Sequence, residues 1–219
     1  MTVLLFISMI IVFLGVDFVV QRKKQIAPVP AEARRPFSTP RVPSGIFFAP
    51  SHTWLTLFPS GNVRIGIDDF ILRMMHTPAI VPLKEAGMSI RKGEPLFQLK
   101  EGEQALTARS PIDADIVAMN DRIQDQPEVL KEALFSDGWA YTLKPKKVSD
   151  LNGMLLGEKS RAWVQQEVGR LRDFLAGFAP NAALSPALLQ DGGMPVEGAL
   201  KSMTDEQCKQ FEQQFLGME

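Results

Sequence analysis

The stretch from Gly93 to Pro111 reads GEPLFQLKEGEQALTARSP. Two strand-like runs, Leu96 to Leu99 and Ala105 to Ala108, flank the polar Glu101-Gly102-Glu103, so the stretch predicts a β-hairpin with a glycine at its turn. Its single lysine, Lys100, stands before the turn, and the turn itself carries carboxylates.

The sequence on either side predicts more strands. Leu55 and Leu57 fall on one face, with Trp54, Thr56 and Phe58 on the other; Pro59-Ser-Gly-Asn62 turns the chain, and Val63, Ile65 and Ile67 alternate again. Asp68 to Met75 has helical spacing at Ile71, Met74 and Met75. Ile80 to Leu83, Met88 to Ile90, Asp115 to Met119 and Trp139 to Leu143 are strand-like, and Gln126 to Phe135 suits one or two helical turns. Alternation of this kind predicts a mainly β core.

From His52 to Pro145 the chain resembles the glycine cleavage system H protein family. The resemblance rests on His52 and Trp54, on Val63-Arg-Ile-Gly-Ile-Asp-Asp69, and on Ile80 to Pro82 before Gly87. It continues through Ile90-Arg-Lys-Gly-Glu94, Ser110-Pro111 with Ile116 to Asn120, Gln126-Pro127, and Asp137-Gly-Trp139 followed by Leu143-Lys-Pro145. The resemblance implies a lipoyl-domain-like barrel-sandwich hybrid. It also implies a place for the lipoyl lysine, eight residues before the proline of the Ser-Pro pair. Counting back from Pro111 with no gap reaches Glu103. Lys100 lies three residues early, and using it would shift the strand register by an odd number, turning its side chain to the other face. Ala114 stands where the family has a turn glycine, which implies a different turn.

The first twenty residues, MTVLLFISMIIVFLGVDFVV, form an apolar run long enough to span a bilayer as a helix. A cleaved signal peptide is the competing reading, but the run has no basic region before it and no small-x-small site after it. Arg22, Lys23 and Lys24 follow the run, which places the C-terminal bulk on the cytoplasmic side of the plasma membrane. Asp17 fits the interfacial end of such a span. Between Arg22 and Pro43 six basic residues face one acidic residue, Glu32, although the whole chain has a net charge of −1. With five prolines, this stretch reads as an extended tether whose cations lie against anionic lipid headgroups. It lacks the interleaved aromatics that stack on bases, which argues against nucleic acid as a partner.

Beyond Pro145 the pattern becomes helical. Val164, Val168, Leu171, Leu175 and Phe178 form an amphipathic stripe, and Thr204-Asp-Glu-Gln207 is a capping-box signature ahead of Cys208, Phe211 and Phe215. By resemblance, Thr204 to Leu216 is the counterpart of the family's terminal helix, and 152–197 is an insertion that either packs on the barrel or adds a docking surface. The lone Cys208 excludes an internal disulfide and reads as a small core residue.

Enzyme chemistry is sparse. His52 and His76 have no partners at metal-ligand spacing, so no metal is expected. His52 reads as a structural hydrogen-bonding residue and His76 as a helix-end residue. Asp68-Asp69 and Asp113 with Asp115 read as strand-end and turn carboxylates, paired in form only. There is no phosphate loop, nucleophile elbow or cysteine pair, and no catalytic residue is assigned.

The expected organisation is an anchor over 1–21, a basic linker over 22–45, an H-protein-like domain over 46–148 and a helical extension over 149–219. The expected role is a non-catalytic scaffold without lipoate that binds an unidentified protein partner. A lipoyl carrier modified at Lys100 is the alternative.

Overall fold

The computed structural model describes residues 35–178, 188–190 and 193–217. The expected anchor, with Asp17, and the tether cations Arg22, Lys23 and Lys24 lie outside the described residues. Among the described residues no helix is long and apolar enough to cross a membrane.

The first strands are β1 (Phe47–Phe48), β2 (Thr53–Leu57) and β3 (Val63–Ile67), followed by helix α1 (Asp69–Met74). Next come β4 (Ala79–Pro82), β5 (Ser89–Ile90), β6 (Pro95–Glu101), β7 (Gln104–Arg109) and β8 (Ala114–Met119). Two single-turn helices, α2 (Arg122–Asp125) and α3 (Val129–Glu132), precede β9 (Tyr141–Pro145). A 3-10 turn (Val148–Gly153) and β10 (Leu155–Leu156) lead into α4 (Glu158–Ala176). The chain closes with the short pair β11 (Leu189–Gln190) and β12 (Met194–Pro195), a 3-10 turn (Ala199–Ser202), and α5 (Asp205–Phe211), which runs on as a π turn (Glu212–Leu216).

All pairings are antiparallel. One sheet has the order β10-β1-β2-β3-β9-β8-β5, and a second has the order β4-β6-β7. The result is a mainly β architecture, as the strand alternation predicts, arranged as the barrel-sandwich that the family resemblance implies. Val63, Ile65 and Ile67 from β3 meet Phe97 and Leu99 from β6 and Leu106 from β7 in one core, each at 1% exposure or less. Each such side chain contributes roughly 1.5–3 kcal/mol on burial.

The opposite face of β1 and β2 carries a smaller cluster of Ile46, Phe48 and Trp54, covered by Phe135, Trp139 and Trp163. Trp54 fits because Gly66 lies across from it; a Cβ there would stand 2.8 Å from the indole ring.

The helices follow from local sequence. Asp68 caps α1 by accepting the Ile71 N–H at 3.0 Å, and Ile71 and Met74 turn inward. The capping box of α5 forms: Thr204 Oγ1 accepts from the Gln207 N–H, and Gln207 Oε1 accepts from the Thr204 N–H at 2.9 Å. Cys208 is buried, and burial, followed by the charge of Asp205, pushes its thiol up to about 11.

The helical turn expected between Gln126 and Phe135 is α3, and a further single turn, α2, precedes it. One expectation needs correction. The last long strand begins at Tyr141 rather than Trp139. Ala114 opens β8 opposite Ile90 and does not take a positive φ.

Candidate functional site at the hairpin apex and the ionic chain behind it

Strands β6 and β7 form the hairpin read from Gly93 to Pro111. Glu101 pairs with Gln104, leaving Gly102 and Glu103 as a two-residue turn. Gly102 has φ +62° and Glu103 does not take a positive φ, the combination of a type II′ turn whose twist suits the flanking strands. Glu103 therefore sits at the apex, exposed, and its carboxylate makes no hydrogen bond or ion pair among the described residues.

The apex is braced on one side. The Glu101 carboxylate accepts the His76 and Thr77 backbone N–H groups, each at 2.8 Å. His76 thus lies two residues past the end of α1, held by its backbone. Lys100 lies within β6, the central strand of its sheet, between Ala79 and Ala105. Its side chain is exposed, but it belongs to the strand ladder and not to the turn.

The other edge of the hairpin is strapped. β7 is an edge strand, and such strands offer unpaired backbone groups. The outward N–H of Thr107 donates to Glu212 Oε2 at 3.1 Å, and the Gln104 amide donates to the carbonyls of Leu200 and Met203. Phe211 and Phe215 are buried beneath this strap and stack on each other with ring centroids 4.7 Å apart.

A chain of charges runs behind the strap. His52, fully buried at the corner between β1 and β2, places Nδ1 2.7 Å from Asp68 Oδ2. Its Nε2 faces Glu167 Oε2 on α4 at 3.6 Å, an ionic contact beyond hydrogen-bond length. Arg170 donates to both Glu167 oxygens at 2.7 and 2.9 Å, donates to the Gln214 carbonyl at 3.1 Å and lies over the Phe215 ring. The imidazole stacks on Phe70 at 4.4 Å and meets Trp163 at 4.9 Å.

Burial alone would lower the His52 pKa, yet the charge and hydrogen bond of Asp68, joined by Glu167, raise it to about 9. Burial pushes the Glu167 carboxyl up, and the contacts from His52 and Arg170 reverse this to hold it below the usual carboxylate range.

The expectation for His52 is met with more partners than a single hydrogen bond. Asp68 is corrected: it is a working carboxylate that caps α1 and pairs with His52 together. Asp69 likewise bonds Arg41 and Arg73, whose contacts outweigh its burial and lower its pKa. Asp113 serves a turn, accepting from the Lys92 N–H, and Asp115, near the start of β8, pairs with Lys146. The sequence reading missed Glu167, Arg170 and Glu212, because charged residues on a helix are ordinarily read as solvated.

Among the described residues no group of three or more His, Cys, Asp and Glu side chains is arranged to hold a metal. A cleft of about 550 Å³ opens between Ser51, the base of the hairpin at Lys92 and Pro111, and the C-terminal turn at Gln213 and Gln214.

An antiparallel barrel-sandwich with a projecting two-residue hairpin defines the class of lipoyl-type carrier domains. Within that class, the chain belongs to the glycine cleavage H-protein family, whose model matches residues 46–167. The H protein of Hydrogenovibrio crunogenus is 31% identical over 114 residues, covering 52% of this chain and 88% of that protein. The H protein of Shewanella loihica is 25% identical over 126 residues, covering 58% and 98%. A crystal structure of an H protein from Mycobacterium marinum superposes with a TM-score of 0.49 at 23% identity, covering 57% of this chain and 99% of that one. The matched range extends to residue 167 and so takes in the first half of α4.

Proposed function

We propose that this chain is an H-protein-like binding module without lipoate, which holds a protein partner at the cytoplasmic face of a membrane. The observation that carries the reading is the carboxylate at the hairpin apex. A lipoyl group is attached through an amide to a lysine amine, and Glu103, at the position where the family resemblance places that lysine, offers no amine. The strap of Glu212 on Thr107 supports the same reading, because it ties one strand of the hairpin to the body of the protein. The proposed anchor is the apolar run 1–21, with Arg22, Lys23 and Lys24 against anionic headgroups. The proposed role is non-catalytic.

The competing reading is a lipoyl carrier modified at Lys100. Intact mass after co-expression with a lipoate ligase separates the two. The scaffold reading expects the unmodified mass for the natural sequence. A gain equal to lipoic acid less water, mapped to Lys100, would establish the carrier. The variant Glu103→Lys is expected to accept lipoate at the apex, which tests the family register directly.

A further inference from the structure

Arg64 lies on the outer face of β3, opposite Thr56 on β2 and Thr142 on β9. Its guanidinium carbon stands 5.0 Å from the Phe58 ring centroid and 4.7 Å from that of Trp139. The two aromatics therefore clamp one cation on a partly exposed surface.

Both walls of the clamp are fixed. Phe58 begins the β2–β3 turn, where its N–H donates to the Asn62 carbonyl and its carbonyl accepts from the Gly61 N–H, each at 2.9 Å. Trp139 is held by its carbonyl, which accepts from the Asn120 side chain at 2.7 Å; the same amide holds the Asp137 carbonyl.

Arg64 differs from six of the ten described arginines. Arg41, Arg73, Arg122, Arg161, Arg170 and Arg172 each meet a carboxylate. No carboxylate among the described residues lies within 4.0 Å of Arg64. A guanidinium stacked on aromatics keeps its in-plane N–H donors, and those donors match the two oxygens of a carboxylate. Pre-ordering by the clamp reduces the side-chain entropy lost on binding.

We propose that the Phe58–Arg64–Trp139 clamp is a docking site for an acidic segment of a partner protein, with one Asp or Glu carboxylate received edge-on by Arg64. The chemistry favours a carboxylate over a polyanion surface. Nucleic acid and anionic bilayers are held by clusters of cations, whereas the cross-strand neighbours of Arg64 are uncharged threonines. The site gives a location to the binding role proposed above. It can be tested without that role: carboxylate binding is measured on the protein itself, and lipoylation is read by mass.

The test uses the full chain in non-ionic detergent, with the Arg64 Nε–H and Trp139 indole N–H followed by NMR. The probe is a short capped peptide with two adjacent glutamates between leucines. The expected result is a saturable shift of both signals, with binding at least about fivefold weaker for the glutamine version of the peptide. Arg64→Gln is expected to abolish the response, and Arg64→Lys to weaken it about tenfold, since lysine keeps the charge and loses the planar fork. Each variant is checked for an unchanged thermal midpoint. Equal binding of the glutamate and glutamine peptides, or equal binding by Arg64→Lys, would overturn the proposal. A response to anionic vesicles and none to the peptide would assign the site to a lipid surface instead.

Discussion

His52 is the only non-glycine residue at positive φ among the described residues, at +58°, a conformation that costs about 1 kcal/mol or more. It is tolerated because the ring is then directed between Asp68 and Glu167. Its folded pKa of about 9 lies above the ordinary value of 6.5, so the protonated form stabilises the fold. That contribution is complete below about pH 6.5, declines as pH rises toward 9, and is lost above it. Glu167 has the opposite sign: its lowered pKa contributes above the ordinary carboxylate range and is lost as pH falls through it. His52→Gln leaves two buried carboxylates short of a cation and is expected to cost about 3 kcal/mol or more in urea unfolding at pH 7. The same variant should flatten the loss of stability between pH 6.5 and 9. An unchanged slope would show that another group controls that limb. Part of this was legible, because His52 is recognisable as a structural residue. Glu167 was not, since it comes close in space only when α4 folds against the corner.

At the level of elements, the hairpin and its strap act together. The two strands were legible from alternation, and α5 from its capping box, because both signals are local. Their contact was not, since Thr107 and Glu212 are separated by most of the helical extension. Likewise α2 escaped notice because its only buried residue is Ile123, which sets no period. Removing the cap with Thr204→Ala is expected to cost about 1 kcal/mol. Since α5 leads into the turn bearing Glu212, the Thr107 amide should exchange with solvent several-fold faster in that variant, by mass spectrometry or NMR. Glu212→Gln keeps the acceptor oxygen and removes the charge; a smaller acceleration at Thr107 alone is expected. Exchange at Thr107 indifferent to both changes would mean that the strap does not protect the edge strand.

For the whole molecule, the sequence pattern carried the β core and the family, while the division at 148 came from the change to helical spacing; the family model matches residues 46–167. The helix α4 joins both regions: Val164 is buried at its family-matched end, and Leu171 and Leu175 are buried beyond it. The proposed anchor makes a prediction at this scale. The full chain should stay with membranes through an alkaline carbonate wash, and deletion of 1–21 should release it. Replacing Arg22, Lys23 and Lys24 by glutamine should leave it in the pellet while altering its orientation. Recovery of the full chain in the wash would remove the anchor.

The first described residues are paired with β12 and the residues that follow it: Glu197 donates its N–H to the Arg35 carbonyl at 3.0 Å, and Phe37 donates to the Pro195 carbonyl at 2.8 Å. Pro36 bridges Val196 between them, and Arg73 ties Glu197 to α1. Any tension arriving along the chain from residue 34 therefore meets this short ladder first, and must break it before reaching the strands of the barrel. A pull applied at residue 35 is expected to load this ladder before β1 to β9, and a force trace with no early, small opening event would show that the ladder bears no load.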